Sequence, residues 1–406
     1  MITNEFIAKI EGHGNLKIDW SKNSVNLGVH EGERLFEGIL VGRSAEEAHW
    51  ITPRICGVCP IAHNLASVRA TEDAYGIKVN ETTKLLRDLM VCGQMIQSHV
   101  LHLFFLVLPD YVGIDRGTEL NQKDPKSFAK ALALKKMGDE IAYTIAGRNV
   151  HPTTTTLGGF HKLPTKEDLK NLLAELEKNK ETATWVPQLF SKFDYPDLKV
   201  ELQLAALVGD SISVDSSTDK NQKREMFPAK DYKKNIEEEL RDYSTAKFGK
   251  LKGREMLVGS LARLAIGGET EGYKLDFANP FHNNLAQAVE IFKYHKQAVE
   301  IVNKLLNMEM DASIASPTAV AEGGEYRGIG YVEAPRGGLY HEIHLDSSGT
   351  IVYANIITPT VQNLTSIEKS AQQMINNTMG MSQKDRERLL NMLVRAYDPC
   401  ITCSVH

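Results

Sequence analysis

Basic residues are not in excess in this chain. Its 47 lysines and arginines face 52 aspartates and glutamates, a formal net charge of -5, so no nucleic-acid partner is expected. Long apolar runs are also missing. No uninterrupted run reaches the roughly eighteen residues that a membrane-crossing helix needs. The opening Met1-Ile-Thr-Asn-Glu-Phe-Ile-Ala-Lys-Ile10 lacks a charged segment followed by an apolar one. No membrane span and a cytoplasmic location are therefore expected, although a partner subunit could carry an export signal. Repeats, low-complexity tracts and linkers are absent too. Cysteine is scarce. Of five, four fall in two Cys-x-x-Cys pairs, Cys56/Cys59 and Cys400/Cys403, and the fifth, Cys92, stands alone in a helical pattern. That is not a disulfide framework, and in a large intracellular chain such pairs point to metal or redox chemistry.

What is present is strong periodicity in places. Residues 5–20 alternate loosely around Gly12 and Gly14, which suggests a short hairpin. From Thr82 to Leu108, the positions Leu85, Leu89, Cys92, Ile96, His99 and Leu103 recur at helical steps, with Pro109 as the predicted end. Such a helix is roughly 40 Å long at 1.5 Å per residue and suits the middle of a bundle. Further helices are predicted near 125–147, 165–180 and 281–307, and strands over 326–357. The signal is mixed between 184 and 280. Ser382 with Asp385 caps a last helix reaching about Arg395, which Pro399 stops.

The first cysteine pair sits in Arg54-Ile-Cys-Gly-Val-Cys-Pro-Ile-Ala-His63 and the second in Asp398-Pro-Cys-Ile-Thr-Cys-Ser-Val-His406. Four thiolates make a soft site that suits zinc, iron or nickel and disfavours magnesium or calcium. A four-cysteine structural zinc site normally has its pairs close in sequence and staples a small domain. Here the pairs lie near opposite ends of 406 residues, a length that needs no staple. Spacing alone leaves open a structural zinc, a redox pair and a catalytic metal site.

The residues flanking both pairs resemble the signatures of the [NiFe]-hydrogenase large subunit. The likeness extends to Ile10-Glu-Gly-His13, Phe36-Glu, Gly42-Arg43, Gln97-Ser-His99 through Asp110-Tyr-Val, Glu333-Ala-Pro-Arg-Gly337, Thr358-Pro-Thr360 and Asn363. Leu108-Pro-Asp-Tyr and Arg395-Ala-Tyr-Asp-Pro-Cys are most similar to the soluble NAD(P)-linked or sulfhydrogenase-type branch. The resemblance implies one domain over 1–406. Its fold would be α+β and mainly helical, with a central long-helix bundle and small peripheral β-sheets. The implied activity is that of an oxidoreductase, the reversible heterolytic cleavage of H2 to protons and electrons.

Carried over by position, the resemblance makes Cys56 and Cys400 terminal nickel ligands, and makes Cys59 and Cys403 bridges between nickel and an iron that bears carbon monoxide and two cyanides. Glu11 becomes a proton relay from Cys400. Lys9 stands where the family has arginine. Arg336 would lie over the metals with Asp110 and Asp398 as charge partners, Thr360 would donate to a cyanide, and His63 would donate to the sulfur of Cys59. Pro359 would shape a turn, and His99 and His102 would pack around the site. Glu37, the carbonyl of Ile356 and His406 would hold a magnesium or Fe2+ ion, hard ligands for a hard cation. Ending at His406 resembles a chain matured by removal of a C-terminal extension, or a gene that stops there. For Cys92 core packing is the expectation. No cysteine remains for iron–sulfur clusters and no Gly-x-Gly-x-x-Gly opens a dinucleotide fold. Electrons would leave through a small iron–sulfur subunit, and in the soluble branch through flavin/iron–sulfur diaphorase subunits toward NAD(P). Two other readings stand beside this one: a structural zinc protein, and a quinone-site subunit that shares the fold but lacks hydrogenase activity.

Overall fold

Long helices fill the middle of the molecule, whose computed structural model describes residues 2–219, 221–317 and 326–406. Glu81–Leu101 packs against Pro125–Ala146 and Asn283–Asn307, and the last of these packs against Lys166–Phe190. Each of the first, second and fourth starts on a side chain that satisfies a free N–H of the first turn. Asn80 accepts from Thr83 N at 2.8 Å, Asp124 accepts from Ser127 N at 3.1 Å just before Pro125, and Thr165 and Asp168 cap each other reciprocally. The first two helices cross at two glycines. A Cβ on Gly93 would stand 2.9 Å from the Gly138 carbonyl oxygen, so only a hydrogen there lets the backbones meet.

The central helix does not end at Pro109. His102–Val107 widens into a π-helical stretch, Leu108–Val112 resumes the α form with Pro109 in its first turn, and Gly113 closes it at φ 71°. A proline lacks the N–H that an interior turn would use, and the wider turn before it absorbs that loss. By length and composition this 32-residue helix is apolar enough to cross a membrane, yet 78% of its most apolar window is buried in the bundle. It is a core helix.

Other departures from the expected elements are local. The N-terminal hairpin is a three-stranded antiparallel meander, Ile2–Phe6, Gly14–Asp19 and Ser24–Val29. The helix predicted at 165–180 runs on to Phe190, with Pro187 inside its last turn. Two helices had no readable period, Pro60–Ala74 and Pro359–Asn377, and each opens with its proline at the first helical position. Pro359 therefore starts a helix rather than shaping a turn. The mixed stretch holds a sheet ordered Met256–Val258, Gln203–Val208, Ser211–Ser216, Glu225–Pro228, a hairpin of Ile236–Arg241 with Ser244–Leu251, and the helix Ser260–Gly267.

Strands over 326–357 form as predicted, the antiparallel sheet Tyr326–Ala334, Gly337–Leu345, Ile351–Ile357. Pro60–Ala74 lies directly on it. A Cβ on Gly328 or Gly330 would meet the carbonyl oxygens of Ala70 or Ala66 at 1.9 Å, so glycine is what allows this helix to touch the sheet. The larger of two apolar clusters among the described residues extends from Ile7 to Val405 and includes all five cysteines. The mainly helical α+β architecture, a long-helix bundle with small sheets around it, is thus the observed one.

Candidate metal centre

Both Cys-x-x-Cys pairs are held where a helix begins. Cys56 follows the 3-10 turn Thr52–Ile55, and Cys59 immediately precedes Pro60–Ala74. In the second pair Cys400 precedes the short turn Ile401–Ser404 that carries Cys403. The backbone N–H groups of Val58 and Cys59 point at Cys56 Sγ, at 3.3 and 3.4 Å. Free N–H groups at such turns favour a negative sulfur. The two loops meet across the core, with Cys56 Sγ 3.3 Å from Cys400 Sγ and Cys59 Sγ 3.4 Å from Cys403 Sγ. All four are buried.

Arg34 ties the loops together. Its Nη2 donates to Ile55 O at 2.7 Å and also to Thr402 O, one carbonyl from each pair. Gln94 on the central helix secures the first loop from the other side, accepting from Ile61 N at 2.8 Å and Ala62 N at 3.2 Å. Neither residue was among those expected. Their partners are backbone groups, which leave no trace in residue type or spacing.

Four thiols this close cannot all ionise without a cation among them. Hydrogen bonds from Cys400 and the other two thiols hold Cys56 well below the ordinary thiol range. Hydrogen bonding with Cys403, Cys56 and Cys59 pushes Cys400 well above it. Metal binding displaces those protons, so the donor set fits soft divalent metals. Among the described residues, Cys56, Cys59 and Cys403 also form the cluster with sulfurs near enough to share one ion.

Glu11 reaches the cluster from the N-terminal meander. Its backbone pairs with that of Cys400, and Ile401 N donates to Glu11 O at 3.0 Å. Glu11 Oε2 accepts from Thr402 N and lies 3.1 Å from Cys400 Sγ, and Oε1 accepts from the Thr402 hydroxyl. Lys9 does not pair with it. Lys9 Nζ instead meets Asp110 Oδ1 at 2.6 Å, while Asp110 Oδ2 accepts from Arg395 Nε at 2.6 Å. Asp110 is therefore a partner of Lys9 and Arg395 and not of Arg336, contrary to expectation.

Arg336 occupies the tight turn between two strands and is 6% exposed. Its Nη2 donates to Asp398 Oδ1 at 2.7 Å, its Nε to Asp398 O at 2.6 Å, and its Nη1 to Ser98 Oγ at 3.3 Å. Burial disfavours its charge, but Asp398 and then the cysteine sulfurs hold it cationic. With Ala334, Pro335, Pro359, Thr360, Cys59, Cys400 and Cys403 it lines a small void of about 10 Å³. Thr360 Oγ1 accepts from Cys400 N at 3.0 Å, which leaves the hydroxyl hydrogen free to donate elsewhere.

His63 is fully buried, and burial pushes it down to about 3, so it is a neutral imidazole. Its Nε2 lies 3.3 Å from Cys403 Sγ and not at Cys59, because Cys59 begins the helix whose next turn carries His63 and the ring points across the gap to the opposite loop. Its Nδ1 is 3.2 Å from His341 Nε2. If His341 donates to His63, His63 is left to donate to the sulfur. His341, also unanticipated, sits on a strand buried on both faces, where alternation gives no signal.

Glu37, Ile356 and His406 come together beneath the cluster. Glu37 Oε1 accepts from Ile356 N at 2.7 Å and Asn355 Nδ2 at 3.1 Å. His406 Nε2 is 2.7 Å from Ile356 O and its Nδ1 is 2.9 Å from Cys403 O. A carboxylate, a carbonyl and an imidazole at one place fit a hard divalent cation. His99 and His102 do not face each other as ligands. His99 Nε2 meets Glu290 Oε2 at 3.0 Å, and His102 bonds Gln287 Oε1 at 2.5 Å and Arg395 O at 2.7 Å. Gln287 in turn donates to Asp398 Oδ2 at 2.9 Å. Cys92 lies in the apolar core, and burial raises its thiol far above the usual range.

Known proteins share this layout. Residues 34–144 and 210–406 match the family described as nickel-dependent hydrogenase. The alpha subunit of sulfhydrogenase 1 from Pyrococcus furiosus is 35% identical over 100% of this chain and 97% of its own length. The beta subunit of the NAD-reducing hydrogenase HoxS from Cupriavidus necator is 29% identical, over 98% of this chain and 93% of that one. In fold, the chain is similar to a crystal structure of an NAD+-reducing [NiFe]-hydrogenase in the H2-reduced state, with a TM-score of 0.84 at 22% identity, covering 100% of this chain and 99% of that one. With four buried thiols converging from both ends of the chain and kinship along its whole length, this chain belongs to the nickel-dependent hydrogenases as a large subunit, an oxidoreductase that acts on hydrogen.

Proposed function

We propose that the chain holds a nickel–iron centre at which H2 is split reversibly, and that electrons pass through a small iron–sulfur subunit toward NAD(P) or a similar acceptor. One observation carries this reading: the four buried thiols meet beside a carboxylate on Cys400 Sγ and beneath a guanidinium, with a small void left against three of them. Cys56, Cys59, Cys400 and Cys403 would hold the nickel, and Cys59 and Cys403 would also hold the iron with its carbon monoxide and cyanides. When bound, such a centre polarises H2 so that it separates into protons and electrons. Glu11 takes up or returns the proton at Cys400 Sγ. Arg336 places a fixed positive charge at the pocket wall. The Thr360 hydroxyl would donate to a cyanide, and His63 donates to Cys403 Sγ and fixes that sulfur's direction. Glu37, the Ile356 carbonyl and His406 would hold magnesium or Fe2+, and their contacts close the C-terminal turn onto the sheet.

A structural zinc site is closed on every side, whereas catalytic sites keep an open position. Kinship with nickel-dependent hydrogenases along the chain argues for the second. A quinone-site subunit of this fold would have no use for four convergent thiols. Partner subunits follow from the surface beside the first pair. Gly57, between the two cysteines, is exposed, as are Leu35 (62%), Ile39 (44%), Val41 (48%) and Trp50 (37%). Exposed apolar side chains in the segments leading to the first pair suit a permanent partner, and a small iron–sulfur subunit is the one that would take the electrons. The NAD-reducing name of one relative supports NAD(P) and flavin/iron–sulfur diaphorase subunits, and the sulfhydrogenase names support a sulfur acceptor as second reading. We assign the complex to the cytoplasm, where NAD(P) is at hand as the acceptor.

The nickel-loaded chain purified without partners is expected to give no hydrogen-dependent reduction of NAD(P), with activity returning when partner subunits are added. Reduction by the chain alone, followed at the absorbance of NAD(P)H, contradicts the assignment of electron exit.

A further inference from the structure

Arg336 depends on a turn that does not fix its own shape. Ala334 pairs with Gly337, so Pro335 and Arg336 are the two residues of a minimal hairpin loop. The loops that match strand twist need a positive φ at their first position, and proline cannot adopt one. Proline instead presets a type I or II turn, which splays the strands, so the loop gains from a hold outside the hairpin.

Arg263, from the helix Ser260–Gly267, provides that hold. Its Nη1 donates to Ala334 O at 2.9 Å and its Nη2 to Pro335 O at 2.9 Å, the two carbonyls just before Arg336. The guanidinium is itself fixed from behind. Glu290 accepts from Nε at 2.6 Å and Nη2 at 2.7 Å, Glu333 accepts from Nη1 at 2.6 Å, and Ser260 Oγ lies 3.2 Å from Nη2. Glu290 also holds His99 at 3.0 Å. The side chain is 9% exposed, and burial works against its charge, but Glu290 and Glu333 more than offset this. The helix also abuts the turn through Gly259, where a Cβ would come within 3.0 Å of Arg336 O.

We infer that Arg263 is a positioning residue for hydrogen turnover, clamping the Ala334–Pro335 carbonyls so that Arg336 is aimed at the metal pocket. This rests on the role proposed for Arg336. A lysine at 263 keeps a positive charge between the two glutamates but cannot offer the rigid fork that both carbonyls require. The test is a double-mutant cycle in the assembled, nickel-loaded complex, reading hydrogen turnover per nickel. Arg336→Lys is expected to lose about 10²-fold. Arg263→Lys is expected to lose about tenfold at unchanged nickel content, and less than about twofold when added to Arg336→Lys. Equal losses in both backgrounds, or wild-type turnover of Arg263→Lys, overturn the inference. Wild-type turnover of Arg336→Lys overturns the reading beneath it as well, a different result. Should Arg263→Lys fail to fold, Glu333→Gln weakens the same clamp with its shape kept, and the same cycle decides.

Discussion

Cys400→Ser is expected to lose nickel and to lower hydrogen turnover on the order of 10³-fold or more, the loss that several kcal/mol of metal-derived stabilisation converts to. A serine hydroxyl is a harder donor that does not ionise near neutral pH, so it cannot replace a thiolate ligand. The consequence reaches past one ligand, because Cys400 Sγ is 3.3 Å from Cys56 Sγ and 3.1 Å from Glu11 Oε2. Cys92→Ser provides the contrast. Cys92 is buried in the core away from the cluster, and replacing its thiol by a hydroxyl costs about 1–3 kcal/mol of stability while nickel content and turnover per nickel stay as they were. Elemental analysis and a hydrogen-uptake assay on both variants check this. Loss of nickel from Cys92→Ser with retention in Cys400→Ser reverses the assignment of ligands.

Glu11→Gln is expected to lower turnover by about 10²–10⁴-fold, the range by which a positioned proton carrier contributes, with nickel retained. The glutamine oxygen can still accept from Thr402 N, which Glu11 Oε2 does at 3.1 Å, so the loop geometry survives. What disappears is an oxygen able to hold a proton next to Cys400 Sγ. Turnover within about twofold of the parent enzyme, at equal nickel, moves the relay to another group.

Residue identity and spacing revealed the chemistry better than the path of the chain. The cysteine pairs and the Glu333-Ala-Pro-Arg-Gly337 segment were legible because metal ligands and fixed cations demand particular residue types. Asn283–Asn307 and the strands over 326–357 were legible because each exposes one face or carries turn residues. Pro60–Ala74 was not, since nearly every residue in it is buried and no stripe distinguishes it from a strand. The passage of the central helix through Pro109 was hidden for a related reason: a π-helical stretch shifts the period at His102–Val107.

Partner choice was the least legible. His63 touches Cys403 rather than Cys59, and Asp110 serves Lys9 and Arg395. Both rest on contacts between residues 285 and 340 positions apart in sequence, which local spacing does not reveal. Arg34 was missed because its partners are backbone carbonyls, and Arg263 because Glu290, Glu333, Ala334 and Pro335 lie 27 to 72 residues away in sequence.

Metal content and infrared spectra of the purified complex test the central claim most directly. The arrangement of Cys56, Cys59, Cys400 and Cys403 predicts about one nickel per copy of this chain, with stretching bands from carbon monoxide and cyanide bound to an iron. Zinc without nickel, or a nickel-loaded sample with no such bands, contradicts it.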